Sequence, residues 1–207
     1  MTEAETTFLF VRHGQANDGG EVYIDDAGRS LTDSGHRDAE VIASESLSFG
    51  AELIVSSPMT RARQTAAYFE KTNNLKATIE DALAERHFGS LEGMSRSAVV
   101  KLHGVNALRM LETASERLEL SGEESFRDAQ RRVVALFSEL VSNHVNRIIV
   151  ISHGGPHSWL LGHLLSVPKK RIRMFQLDEG HHSLFVLKSR GNNIELLKFE
   201  KLNSSHF

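Results

Sequence analysis

Three short apolar runs stand out along the chain, each cut off by polar residues: Phe8 to Val11, Glu52-Leu53-Ile54-Val55, and Arg147 to Ile151. Runs this short and rich in β-branched residues predict strands buried on both faces, as in a parallel sheet. Between them the pattern changes to helical spacing. Thr32-Asp33-Ser34-Gly35 offers capping residues for a helix through Ser46. A second helix is predicted from Thr60 to Lys71, and Ser95 to Arg117 has helical composition with a break at Gly104. Val133, Leu136, Phe137, Leu140 and Val141 fall on one face of a helix over Ser125 to Asn143. Trp159 to Ser166 reads as a further helix, and Ala77 to Glu80 as a short strand. Ser183 to Lys188 and Ile194 to Phe199 read as strands joined by a turn at Gly191-Asn192-Asn193. Gln15 to Arg29 and Leu83 to Gly93 read as loops.

Strands alternating with helices predict a three-layer α/β/α sandwich on a mainly parallel sheet, made mixed by the final hairpin. The 207 residues fit one domain, with a helical lid or excursion expected at about 94–122.

Composition narrows the function. There is no cysteine, which excludes disulfides, thiolate metal sites and cysteine-based phosphatase chemistry. A formal net charge of −3 does not favour a general nucleic-acid surface. The N-terminus lacks the basic and apolar regions of a signal peptide, and no apolar run reaches a membrane span, so a cytoplasmic protein is expected.

The three buried strands end in Arg12-His13-Gly14, in Ser56-Ser57-Pro58 with Arg61 close behind, and in Ser152-His153-Gly154. In open α/β sheets ligands bind beyond the carboxyl ends of the strands, so these signatures should converge. Singly, each is as readily structural as functional. Two histidines and two arginines at one sheet edge are harder to set aside. Guanidinium forks match phosphate oxygens, so the cluster points to a small anionic substrate. A histidine can attack phosphorus and form a phosphohistidine, provided the attacking nitrogen is unprotonated and its other nitrogen has an acceptor. A second histidine, if protonated, would stabilise charge on the transferring group. The leaving alkoxide needs a proton donor. Glu85, in a glycine-bounded loop, has two readings: that donor, or a surface carboxylate paired with Arg86. A metal site is not expected, because the histidines lack ligand spacing and two arginines would repel a cation. His157 reads as a packing residue, and of His181 and His182 at most one can face the pocket.

Val11-Arg12-His13-Gly14-Gln15 resembles the nucleophile motif of the histidine phosphatase superfamily, in its phosphoglycerate-mutase-like branch. Leu31-Thr32-Asp33-Ser34-Gly35, Ser56 through Ala66, Glu85 through Gly93, Gly122-Glu123-Glu124-Ser125-Phe126 with Arg132, and Ser152-His153-Gly154-Gly155 resemble its later segments, in order. The resemblance implies a metal-free, cofactor-free phosphohistidine mechanism. It assigns His13 as nucleophile and Glu85 as proton donor. Arg12, Arg61 and His153 would bind and stabilise the phosphoryl group, with Gly14, Asn17, Arg86 and Gly154 as further substrate-binding positions.

Some positions depart from the mutase pattern. Gln15-Ala16-Asn17-Asp18-Gly19 follows the nucleophile, and Phe88 stands where mutases usually have tyrosine. The Gly93–Gly122 span is short, and its Arg109 and Arg117 stand apart. These departures favour a phosphatase acting on a small phosphorylated metabolite over a phosphoglycerate-type mutase. A non-catalytic binding protein of the same fold is the third reading.

Overall fold

The structure is a computed structural model and describes residues 5–17, 28–106, 121–190 and 193–202. A six-stranded sheet lies at its centre. In chain order the elements are β1 (Glu5–Arg12), α1 (Asp33–Glu45), β2 (Leu53–Ser56), α2 (Thr60–Asn73), β3 (Ala77–Ile79), α3 (Arg96–His103), α4 (Phe126–Ser142), β4 (Arg147–Ser152), α5 (Gly154–Leu164), β5 (His182–Arg190) and β6 (Asn193–Leu202). The strands lie in the order β3-β2-β4-β1-β5-β6. The first four are mutually parallel, while β5 and β6 run antiparallel. This is the mixed, mainly parallel sheet expected from the alternation of elements.

β1 explains why the sheet carries helices on both faces. Its side chains alternate sides. Phe8 and Phe10 pack with Val133 and Phe137 of α4 and Leu160 of α5, while Leu9 and Val11 pack with Ile42 of α1 and Ala62 and Phe69 of α2. A strand sandwiched in this way must be apolar throughout, which is the uninterrupted run seen in the sequence. The phenylalanine side is the larger core: Phe8 lies 5.0 Å from Phe137 and 5.4 Å from Phe185, ring centre to ring centre. Truncating a buried ring of this kind typically costs about 3–5 kcal/mol.

Helix starts follow their capping chemistry. Thr32 accepts from the Gly35 amide and Ser125 from the Asp128 amide, so each relieves one unsatisfied donor of a first turn. α3 ends at Gly104, with φ +80°, where the sequence predicted a break. The last helix begins at Gly154, five residues before the predicted Trp159. Glycine and proline in its first turn mask the helical pattern, although proline there loses no hydrogen bond. Of the lid expected at about 94–122, residues 107–120, with Arg109 and Arg117, lie outside the described residues. So do Asp18 and Gly19, and Gly191 and Asn192 of the expected turn. Among the described residues no helix is long and apolar enough to cross a membrane.

β1 and β4 are neighbours, yet the helices that follow them pack on opposite faces. Such a reversal opens a crevice at the carboxyl ends of the strands. His13 and His153 are the residues directly after those two ends.

Candidate active site

His13 leaves β1 with its amide bonded to Ser152 of β4 at 2.9 Å, so its backbone is still held by the sheet. Its imidazole is buried. Nδ1 lies 2.8 Å from the Gly14 carbonyl, which can only accept, so Nδ1 carries the proton. Nε2 is thereby left with its lone pair, and Arg61 Nε donates to it at 3.1 Å. Burial first, and Arg61 second, hold the His13 pKa well below the usual 6.5; the Gly14 carbonyl pulls it up, and Arg12 and Arg29 push it further down. His13 is therefore a neutral imidazole with a defined tautomer, the form a nucleophile requires.

Gly14 sets this arrangement from behind. A Cβ on Gly14 would lie 2.3 Å from the Gly35 carbonyl oxygen, and one on Gly35 would lie 2.1 Å from the Gln15 oxygen. The start of α1 is thus pressed against the loop after the nucleophile. The Gly14 amide donates to Thr65 Oγ1 at 3.1 Å, and Thr65 in turn bonds the Arg61 carbonyl one helical turn back. Gly14 was expected to bind substrate. Its amide is engaged with Thr65, and its carbonyl holds the His13 Nδ1 proton.

His153 faces His13 with ring centres 5.0 Å apart and planes at 60°. Its Nε2 is 2.8 Å from Ser57 Oγ, and its Nδ1 is buried without a hydrogen-bond partner. Burial, then Arg61, hold its pKa well below 6.5. A protonated second histidine does not match this site without substrate: His153 is neutral and offers one N–H. Arg61, on the first turn of α2, is almost fully buried, with a second contact from Nη2 to Met59 Sδ at 3.2 Å. Arg12 donates from Nη1 to the Leu177 carbonyl at 2.6 Å and meets Glu179 at 3.5 Å. Its Nε is buried and has no partner. A Cβ on Gly154 would lie 3.4 Å from Arg12 Nη1, so that glycine lets the guanidinium lie against the start of α5.

Glu85 meets the start of α5, two residues after His153. Its Oε1 accepts from the Gly155 amide at 3.0 Å, at the N-terminus of α5, where exposed amides favour a carboxylate. A Cβ on Gly155 would lie 2.2 Å from Glu85 Oε2, so only glycine admits the acid. The alternative pairing of Glu85 with Arg86 does not occur. Arg86 is buried on Glu123 at 2.5 Å and lies over the Phe88 ring. Arg86, expected to bind substrate, bonds the buried Glu123 carboxylate through Nη2 and so braces the acid loop, while its Nε is buried without a hydrogen-bond partner. Arg132 is a second brace. From α4 it donates to the carbonyls of Ala82, Ala84 and Glu85 and grips Glu124 with two bonds. Its planar fork is what allows all five contacts. Asn17 is exposed at the edge of the described loop; its amide bonds Ser30 and its carbonyl accepts from Arg29.

Sequence reasoning placed Ser57 in a strand-end signature without a role and missed Thr65, Arg29 and Glu179. Thr65 carried one signal, its four-residue spacing from Arg61. His157 packs, as read: its Nδ1 lies 2.7 Å from the Phe175 carbonyl and its Nε2 2.7 Å from Ser183 Oγ. His182 is fully buried. No group of three or more His, Asp or Glu suited to a metal occurs among the described residues.

The model of the histidine phosphatase superfamily, branch 1, matches residues 8–200. Phosphoserine phosphatase 1 of Hydrogenobacter thermophilus is 27% identical over 165 residues, 79% of this chain and 78% of that protein. The adenosylcobalamin/alpha-ribazole phosphatase of Escherichia coli is 26% identical over 191 residues, 90% of this chain and 93% of that protein. Among solved structures, the mycobacterial glucosyl-3-phosphoglycerate phosphatase superposes with a TM-score of 0.77 at 23% identity, covering 95% of this chain and 97% of that one. That likeness is one of fold.

Proposed function

We infer, from the premise that the chain belongs to the histidine phosphatase superfamily, that it hydrolyses the phosphomonoester of a small metabolite through a phosphohistidine at His13. The observation that carries this reading is the tautomer of His13: the Gly14 carbonyl takes the Nδ1 proton, and Nε2 keeps its lone pair, accepting from Arg61. The phosphatase names borne by the relatives support hydrolysis.

The placement of groups supports the following steps. The phosphoryl oxygens take the buried Nε of Arg12, the guanidinium of Arg61 and an N–H of His153. His13 Nε2 forms a bond to phosphorus while the bond to the leaving oxygen breaks, and Glu85 gives that oxygen its proton. Glu85, now a carboxylate at the α5 N-terminus, takes a proton from water. The water attacks the phosphohistidine, releasing phosphate and restoring His13. Gly154 gives Arg12 its room, and Asn17 would border the leaving group. The 207 residues act as one catalytic domain in this reading, in a cytoplasmic setting.

The experiment is a phosphate-release screen over many phosphomonoesters, with His13→Ala as control. Release by the wild type and none by the variant is expected. Substantial release by His13→Ala would sink the assignment. Isomerisation of a monophosphoglycerate primed by bisphosphoglycerate, without phosphate release, would favour a mutase instead.

A further inference from the structure

The hydrogen bonds around His13 close into a circuit. Its Nδ1 donates to the Gly14 carbonyl at 2.8 Å, and Arg61 Nε donates to its Nε2 at 3.1 Å. The Gly14 amide donates to Thr65 Oγ1 at 3.1 Å, and Thr65 Oγ1 donates to the Arg61 carbonyl at 2.9 Å. The path leaves the imidazole at one nitrogen and returns at the other. Thr65 is its link between the nucleophile loop and the helix that carries Arg61. The directions at Thr65 are fixed, because an amide N–H only donates and a carbonyl only accepts.

A threonine bonded to the carbonyl four residues back is common in helices and by itself says nothing. The second bond is different, because it reaches a glycine 51 residues away. Thr65 is 1% exposed and Gly14 is buried, so this bond is made away from solvent. Other contacts fix the remaining sides of the loop. The His13 carbonyl accepts from the Gly180 amide at 2.9 Å, and a Cβ on Gly14 would meet the Gly35 carbonyl at the start of α1. What Thr65 adds is the tie to α2, and with it a set distance between His13 Nε2 and the Arg61 guanidinium.

We propose that Thr65 is a positioning residue, whose hydroxyl holds the attacking nitrogen of His13 and the guanidinium of Arg61 in one frame. The proposal rests on the phosphatase reading above. Without the hydroxyl the Gly14 amide becomes a buried donor that has lost its acceptor, and the loop must shift to satisfy it. Nucleophile and phosphate-binding cation then lose their common register.

The test pairs Thr65→Val, which keeps the side-chain shape but removes the hydroxyl, with Thr65→Ser, which keeps the hydroxyl. Thr65→Val should lower kcat/KM by roughly 10²-fold, as expected for a displacement of about 1 Å at the reacting groups. The factor should be the same for p-nitrophenyl phosphate and glycerol phosphate, since attack on phosphorus is disturbed and not protonation of the leaving group. Thr65→Ser should restore most of the rate. NMR titration of the His13 imidazole in the free protein adds a readout that a loss of stability alone would not move. Arg61 acts on the His13 pKa more strongly than the Gly14 bond does. Loosening the circuit should therefore raise that pKa toward 6.5 in Thr65→Val and leave it low in Thr65→Ser. Thr65→Ala, whose small side chain leaves space beside the Gly14 amide, should show the same rise and serves if Thr65→Val does not fold. An unchanged His13 titration in the folded variants overturns the proposal, as does an unchanged kcat/KM or a loss in Thr65→Ser as large as that in Thr65→Val. Those results leave the phosphatase reading standing. That reading fails instead if the wild type does not hydrolyse p-nitrophenyl phosphate, or if His13→Ala still does.

Discussion

Gly155→Ala should act on catalysis through Glu85 alone. The added Cβ would lie 2.2 Å from Glu85 Oε2, 3.0 Å from its Cδ and 2.7 Å from Trp159 Cζ2. Ordinary contact begins near 3.4 Å, so the carboxyl group must retreat by more than 1 Å. Its acceptor bond from the Gly155 amide, 3.0 Å long, is then stretched or lost. A proton donor is typically worth about 10²–10⁴-fold, and a displacement of about 1 Å can cost about 10²-fold. The expected loss in kcat/KM is therefore about 10²-fold for alkyl phosphates, or about 3 kcal/mol of barrier. Aryl phosphates have leaving groups that need little protonation and should lose less than about tenfold. Alanine is the better helix former by about 1 kcal/mol, which offsets part of the clash, so denaturation should show little net change. The assay is steady-state hydrolysis of glycerol phosphate and p-nitrophenyl phosphate by Gly155→Ala and Glu85→Gln. The two variants should share one leaving-group profile. Equal losses on both substrates, or no loss, would refute Glu85 as the proton donor.

Other predictions concern stability and pH. Arg86→Met removes the counter-ion of the buried Glu123 carboxylate, whose side chain is 1% exposed, and should lower unfolding free energy by about 3–5 kcal/mol in urea titrations. A loss below about 1 kcal/mol would contradict the brace. Burial lowers the His157 pKa to about 4 in the folded protein, against an ordinary 6.5. The unfolded chain then binds more protons between those values. The stabilisation is complete above pH 6.5 and fades as pH falls toward 4, by roughly 3 kcal/mol. His157→Gln should flatten that slope of stability against pH, and an unaltered slope would argue against it. Burial and Arg61 keep His13 unprotonated well below pH 6.5. Its imidazole resonances should therefore stay in the neutral form at pH 6 and move toward ordinary titration in Arg61→Met; titration near 6.5 in the wild type would contradict this.

Much of the fold was legible because β1, β2 and β4 are buried on both faces, and that leaves uninterrupted apolar runs such as Phe8 to Val11. α4 was legible for a similar reason: its buried face repeats at helical spacing. The start of α5 was not, because Gly154, Gly155 and Pro156 serve the site and the first turn rather than helix propensity. The same division holds at the site. Residues that stand directly at strand ends, His13 and His153, declare themselves by position. The Arg86 brace was not legible, because sequence shows its neighbour Glu85 but not Glu123, which meets it across 37 residues. Glu179 was invisible for the same reason, since its meeting with Arg12 is made only by the pairing of β1 with β5.

The central claim is covalent: phosphate passes through His13 Nε2. Rapid quenching of the wild type during turnover of a good substrate, followed by peptide mapping, tests it most directly. A phosphoryl group that is labile to acid and stable to base, on the peptide holding His13 and absent from His13→Ala, is the predicted result. Turnover with no phosphorylated histidine, or with the label on another side chain, would contradict it.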